Sequence, residues 1–294
     1  MKEFKFNFMG ARRITSVISS LLIIVSIFSL SYQGLNLGID FTGGTLVEVG
    51  YSETVDLVKV RESFSNSNFS NATIQYFGSA KEILIRIPPQ QGLNSADISS
   101  QVLDLISADN VNAKMRRVEF VGPQVGKELK EDGGLAMLYA LLCIMFYVAL
   151  RFQMRFSVGA VAALIHDVLI TLGFFSITGF NFDLTILAAL LAVIGYSLND
   201  TIVVFDRVRE NFRKIRDKTS VDVFNISLNQ TLSRTLMTSF TTLLVLSALF
   251  LLGGEIIHGF AMALIFGVLI GTYSSIYVAS PVTLALGIKK EDLM

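Results

Sequence analysis

The chain has 294 residues, of which 52% are hydrophobic and only 16% charged, whereas a soluble domain is about a quarter charged. Lysine plus arginine and aspartate plus glutamate each number 24, so net charge is zero and no bulk attraction to nucleic acid is implied. The lone Cys143 excludes an internal disulfide, and the two distant histidines, His166 and His258, leave no metal-ligand cluster.

The charges are clustered, and between them lie apolar runs of about 20 residues, the length that crosses a bilayer core. The composition therefore predicts an α-helical membrane protein with six transmembrane helices. Span 1 is expected at Ile14–Tyr32, behind Lys2, Lys5, Arg12 and Arg13. It is longer than the h-region of a signal peptide and reads as an uncleaved anchor.

Residues 34–132 read as a soluble insert between spans 1 and 2. "TLVEVGY" (Thr45–Tyr51) alternates with the period of a strand, and "ETVDLVKVRESF" (Glu53–Phe64) carries Val55, Val58 and Phe64 at helical spacing. "ATIQYFG" and "EILIRIP" are two more strands. "SADISSQVLDLIS" is a helix with Ile98, Val102, Leu105 and Ile106 on one face, and "AKMRRVEFVG" is the last strand. The order β-α-β-β-α-β predicts an α+β domain of the ferredoxin-like type. "GPQVGKEL" (Gly122–Leu129) is one residue short of a phosphate loop and has Glu128 where Ser or Thr would hold magnesium, so no nucleotide site is expected. "DFTGGT" (Asp40–Thr45) reads as a glycine turn or as a docking element.

Spans 2 to 6 are expected at Gly134–Leu150, Phe156–Thr178, Leu184–Phe205, Ser233–Leu252 and Gly259–Leu286. The chain then divides into 1–33 (N-terminus and span 1), 34–132 (the domain), 133–287 (spans 2–6) and 288–294 (C-terminus). Basic residues of the short segments fall on one side. They are the N-terminal four, then Arg151 and Arg155, the run Arg207–Lys218, and finally Lys289 and Lys290. The positive-inside rule places both termini in the cytoplasm and residues 34–132 outside it.

Polar residues interrupt the spans. His166 and Asp167 sit near the middle of span 3, where Gly159, Ala163, Asp167 and Thr171 share a face at four-residue steps. Span 4 carries Asn199 and Asp200 inside the apolar zone, with Asp206 at its edge. A carboxylate at bilayer depth costs roughly 2.5–3.5 kcal/mol on insertion scales, and such residues mark ion pathways. Span 5 opens near Arg234, followed by Thr238 and Thr241 on the same stripe, with Thr235, Ser239 and Thr242 on adjacent faces. In span 6, Gly259, Ala263, Gly267, Gly271, Ser275 and Ala279 recur every four residues and permit close helix approach. Pro281 is expected to kink or end that helix.

"LGIDFTGGTLVEV", "VGPQVGKEL", "GYSLNDTIVVFDRVRENF", "LNQTLSRTLMTSFTTLL" and "GTYSSIYVASP" occur in this order along nearly the whole chain. This set resembles the SecF family of bacterial protein-export membrane proteins, within the SecD/SecF group of the resistance-nodulation-division superfamily. The resemblance implies an inner-membrane subunit, not an enzyme and without a cofactor, that pairs with SecD. It implies a place beside the SecYEG channel and SecA, where the proton gradient promotes late stages in the export of an unfolded polypeptide. In the family an aspartate of span 4 and an arginine of span 5 are implicated in proton movement, and they match Asp200 and Arg234 by motif.

Burial favours the neutral form of a carboxyl, and a nearby guanidinium favours the ionised form. A changing Asp200–Arg234 separation would therefore bind a proton in one conformation and release it in another; a static ion pair is the plainer reading. Asn199 is expected to orient Asp200. His166 and Asp167, with Thr238 and Thr241, are candidates for the path or its support. The alternatives are a half-transporter of the same superfamily for a small molecule or lipid, and a structural subunit that conducts nothing.

Overall fold

The computed structural model describes residues 6–90, 95–109, 113–215 and 217–288. Lys2, Lys5, Arg216, Lys289 and Lys290, five of the basic residues of the short segments, and nearly all of the 288–294 tail lie outside the described residues. The chain forms two compact units, Leu37–Gly134 and the remainder.

The remainder is helical. Among the described residues six helices are long and apolar enough to cross a membrane. Span 1 is Arg12–Tyr32, span 2 Pro123–Arg151, span 3 Met154–Thr178, span 4 Leu184–Lys214 and span 5 Ser220–Leu252. Span 6 is Glu255–Ser274, continued by a π-helical turn at Ser275–Ala279 and a short helix at Ser280–Ala285.

Several helices outrun their apolar cores, because hydropathy marks only the segment that needs lipid. Span 2 begins at Pro123, a residue whose fixed φ and missing N–H suit a first helical position. Span 4 continues past Phe205 on a polar turn in which Arg207 and Lys214 both pair with Glu210. Span 5 begins at Ser220, where Thr219 and Asp222 form a reciprocal capping box. Pro281 does not end span 6. The helix widens into the π turn just before it and runs on to Ala285, stopping at Gly287 with φ +71°.

Spans 3 and 4 form the centre of the bundle; 61% and 50% of their apolar windows are buried, against 11% for span 2 and 17% for span 5. The small-residue stripe of span 6 packs within the chain, against span 4. A Cβ on Gly267 would collide with Val193, and one on Gly271 would lie 3.0 Å from the Ser197 Cβ. Span 3 uses its own small face in the same way. Gly159 meets the Ala279 carbonyl at 2.9 Å from where its Cβ would stand, and Gly173 lies against Ser26 of span 1. Phe156 and Phe205, 4.8 Å between ring centroids, anchor the apolar core toward the end that holds the 2–3 connection.

The second unit carries β1 (Gly44–Gly50), a helix at Leu57–Ser65, β2 (Thr73–Phe77), β3 (Ser79–Ile87), a helix at Ser95–Asp109 and β4 (Lys114–Val121). The sheet order is β2-β3-β1-β4, with every neighbouring pair antiparallel. Val47 faces both Ile85 and Val118 in register, which puts Val47, Val49, Ile83, Ile85 and Ile87 on the buried face. Ile98, Val102 and Ile106 of the second helix join them. The first helix departs from its sequence reading. It starts at Leu57 behind an Asp56 cap, so Val60 and Phe64 face the core while Val58 is 60% exposed.

The "DFTGGT" turn is more than a loop. Gly43 and Gly44 take φ of +71° and +120°, which L side chains rarely adopt. A Cβ on Gly126 would lie 2.8 Å from the Gly43 nitrogen, so the turn packs directly against the start of the span 2 helix.

Gly267→Leu should destabilise the purified protein by about 1–3 kcal/mol, because it overpacks the span 4–span 6 contact. Gly195→Ala, where an added Cβ meets nothing within 4 Å, should be neutral or slightly stabilising. Thermal unfolding in detergent would check both.

Candidate functional site

Span 4 is launched by Asp183, whose carboxylate accepts from the Ile186 amide at 3.0 Å. From that start the helix carries Tyr196, Ser197, Asp200 and Thr201 toward the bundle interior and Asn199 outward. Asp200 is 3% exposed. Its Oδ2 has no hydrogen-bond partner among the described residues, and the same holds for the buried hydroxyls of Tyr196, Thr201 and Thr235.

Arg234, on span 5, is exposed when the chain is taken alone. It is the arginine that the family motif sets against Asp200. Among the described residues, however, no ion pair within 4.0 Å joins them. The structure therefore does not show a static Asp200–Arg234 bridge.

The other residues of that region divide by helix face. Thr238 and Thr241 follow Arg234 on the outer face, and their hydroxyls donate to the carbonyls of Arg234 and Met237 at 3.1 and 2.9 Å. Thr235 and Ser239 lie on the buried face. Ser239 Oγ is 2.7 Å from Thr272 Oγ1 and so ties span 5 to span 6. Asn199 is exposed, and among the described residues no hydrogen bond joins it to Asp200. Asp206, at the edge, is half exposed and lies 3.5 Å from Arg151.

His166 and Asp167 behave differently from Asp200. Both are 1% exposed. His166 Nδ1 lies 2.9 Å from Asp167 Oδ1, while Ser197 and Ser274 donate to Asp167 Oδ2 at 2.6 and 2.7 Å. One carboxylate thus joins spans 3, 4 and 6. The Thr171 hydroxyl donates to the Asp167 carbonyl rather than to its carboxylate. The His166 ring stacks on Tyr273 at 6.1 Å, and the Tyr273 hydroxyl lies 3.0 Å from Ser19 and donates to the Thr15 carbonyl, which extends the network to span 1. Ser197, Ser274 and Tyr273 were not singled out from the sequence. Their signal was modest: hydroxyls within apolar helices, which commonly bond their own backbone.

Two buried carboxylates one helix apart therefore differ chemically. Asp167 has partners on both carboxylate oxygens, drawn from spans 3, 4 and 6. Asp200 has an oxygen free and a cation at a distance, an arrangement that can take up a proton without breaking a bond. Among the described residues no group of three or more His, Cys, Asp or Glu could hold a metal ion.

Residues 101–289 match the family model described as protein export membrane protein SecD/SecF, C-terminal, and residues 28–55 match the SecD/SecF GG motif. The protein translocase subunit SecF of Vibrio alginolyticus is 53% identical over 99% of this chain and 93% of its own length. That of Pseudomonas aeruginosa is 48% identical over 98% and 94%. The crystal structure of SecDF from Thermus thermophilus superposes with a TM-score of 0.88 at 38% identity, covering 97% of this chain and 39% of that one. SecDF in its super-membrane-facing form gives 0.73 at the same identity.

Asp167→Ala leaves three buried groups without their acceptor and should destabilise the bundle by about 3 kcal/mol or more, with Ser197→Ala and Ser274→Ala each costing about 1–3 kcal/mol. The serine pair should be non-additive in a double-mutant cycle, since both bonds end on one oxygen. Equilibrium unfolding in detergent or bicelles measures all four variants.

Proposed function

The chain belongs to the SecF family of protein translocase subunits, and from that premise we propose that it couples the proton gradient to Sec-dependent export in the bacterial inner membrane, in complex with SecD. The observation that carries the reading is Asp200. It is buried, one of its oxygens lacks a partner, and Arg234 stands off rather than paired. A shift of span 5 against span 4 that brings the guanidinium closer favours the ionised carboxyl, and withdrawal favours the neutral one. Alternating exposure of the carboxyl to the two sides would then carry one proton per exchange, with an electrical contribution of roughly 2.3 kcal/mol per 100 mV.

The outward polar groups fit the partnership. Arg234 and Asn199 face out of this chain at or near bilayer depth, where lipid contact is costly. A SecD surface would cover them and extend the proton path. SecDF crystal forms that match this chain at TM-scores of 0.88 and 0.73 are consistent with a family that works through more than one arrangement.

The basic ends of spans 2 and 4, with Arg12 and Arg13, support cytoplasmic termini. Residues 34–132 then lie outside the cytoplasm, as a ferredoxin-like domain in keeping with its β-α-β-β-α-β order and β2-β3-β1-β4 sheet. In this reading the domain moves with the bundle and holds the unfolded chain emerging from SecYEG. The Asp167 network supports the path as a rigid wall. A half-transporter and a non-conducting structural subunit are the competing assignments.

The test is Asp200→Asn in the SecD complex reconstituted in proteoliposomes. Proton flux should fall to the level of protein-free liposomes, and export should lose its stimulation by the gradient, with abundance and SecD association unchanged. Full flux and full stimulation would contradict the reading and favour the structural subunit. Flux that survives with a small-molecule gradient dissipated in parallel would favour the transporter.

A further inference from the structure

The N-terminal segment is held against the start of span 5 by a clamp of asparagines. Asn229 Oδ1 accepts from the Phe6 amide and its Nδ2 donates to the Phe6 carbonyl, both at 2.8 Å. Asn225 Oδ1 accepts from the Met9 amide at 2.9 Å, and its Nδ2 donates to Asn7 at 3.1 Å. These bonds fix the turn at Met9–Ala11 that leads into span 1. Between the turn and the start of span 5 lies an open cleft of about 480 Å³, lined by Asn7, Gly10, Arg12, Arg13, Asp222 and Asn225 among others. That volume is within the range of small-ligand sites.

The charge in the cleft is unbalanced. Among the described residues neither Arg12 nor Arg13 makes an ion pair. Among the described residues Asp222 is the one carboxylate of the lining, and it is occupied at the helix cap, accepting from the Thr219 hydroxyl at 2.7 Å and the Thr219 amide at 3.2 Å. Two guanidiniums without an ion-pair partner among the described residues form a receptor for a phosphate group. Arg13 also heads a helix stripe of Val17, Leu21, Ile24 and Phe28, each 60–69% exposed. A ligand with an anionic head in the cleft and hydrocarbon along this stripe satisfies both features, and a free phosphate satisfies only the first.

We propose that the cleft between the N-terminal turn and span 5 binds the phosphodiester headgroup of an anionic phospholipid, with its acyl chains along span 1. The site is separate from Asp200, and the proposal does not depend on proton coupling. Arginines at this end also serve as a topology signal, but that role needs only positive charge. A bound headgroup needs the guanidinium forks as well, and this difference separates the two roles.

The experiment uses the intact complex with SecD, exchanged into micelles containing phosphatidylglycerol or phosphatidylcholine and examined by native mass spectrometry. The protein should retain phosphatidylglycerol in preference to phosphatidylcholine. Arg12→Gln/Arg13→Gln should reduce that retention about thirtyfold, as two cationic contacts at a lipid surface predict. Arg12→Lys/Arg13→Lys keeps the charge and the insertion, and should retain an intermediate amount. The proposal is overturned if the glutamine variant retains as much phosphatidylglycerol as the wild type. It is also overturned if the lysine variant matches the wild type, if the two lipids are retained equally, or if inorganic phosphate displaces the lipid. A stripe occupied by SecD instead of lipid would appear as no retained phosphatidylglycerol at all, and would likewise overturn it.

Discussion

A carboxylate buried among apolar helices must either collect donors or be able to give up its charge. This constraint organises the bundle. Asp167 takes the first course, with His166, Ser197 and Ser274 around it. Because those partners come from three spans, the same bonds that satisfy the charge fix spans 3, 4 and 6 to one another. Close packing at Gly267 and Gly271 is then required, since the serines reach Asp167 only if spans 4 and 6 nearly touch. The π turn at Ser275–Ala279 follows directly after Ser274, where the helix changes pitch ahead of Pro281.

The proposed coupling assigns the second course to Asp200, one turn beyond Ser197 on span 4, which is buried and has no partner for its Oδ2 among the described residues. The span that is held rigid by one carboxylate thus presents the other. Span 5 is far less buried than span 4 and touches this region through Thr235 and Ser239 while pointing Arg234 outward. A buried central pair, spans 3 and 4, thus stands beside a less buried helix that bears Arg234. The proposed proton coupling places the motion there, and assigns the Asp167 network to holding still.

Much of this was legible in the sequence, for identifiable reasons. Apolar length gave the six spans, and strand and helix periods gave the order of elements in the second unit, since each depends on local pattern alone. Asp200 stood out because a carboxylate within an apolar run is expensive. What was hidden depends on rotation and partnership. Thr238 and Thr241 share a stripe with Arg234, but only the packed bundle shows that this stripe faces outward and that Thr235 and Ser239 face in. Ser197 and Ser274 are indistinguishable in sequence from serines that bond their own helix, as Ser275 does with the Thr272 carbonyl. Helix ends beyond the apolar zone, such as Phe205 to Lys214, are fixed by charge pairs that hydropathy does not register. Val58 gave way to Val60 because the Asp56 cap sets where the first domain helix begins.

In the proposed coupling Asp200 changes its protonation between arrangements of the bundle. Infrared difference spectroscopy of the reconstituted complex with SecD, titrated over pH and compared with Asp200→Asn, tests it most directly. A protonated-carboxyl band should appear at low pH, disappear as pH rises, and be missing from the Asp200→Asn protein. An identical set of carboxyl bands in both proteins across the whole titration would contradict it.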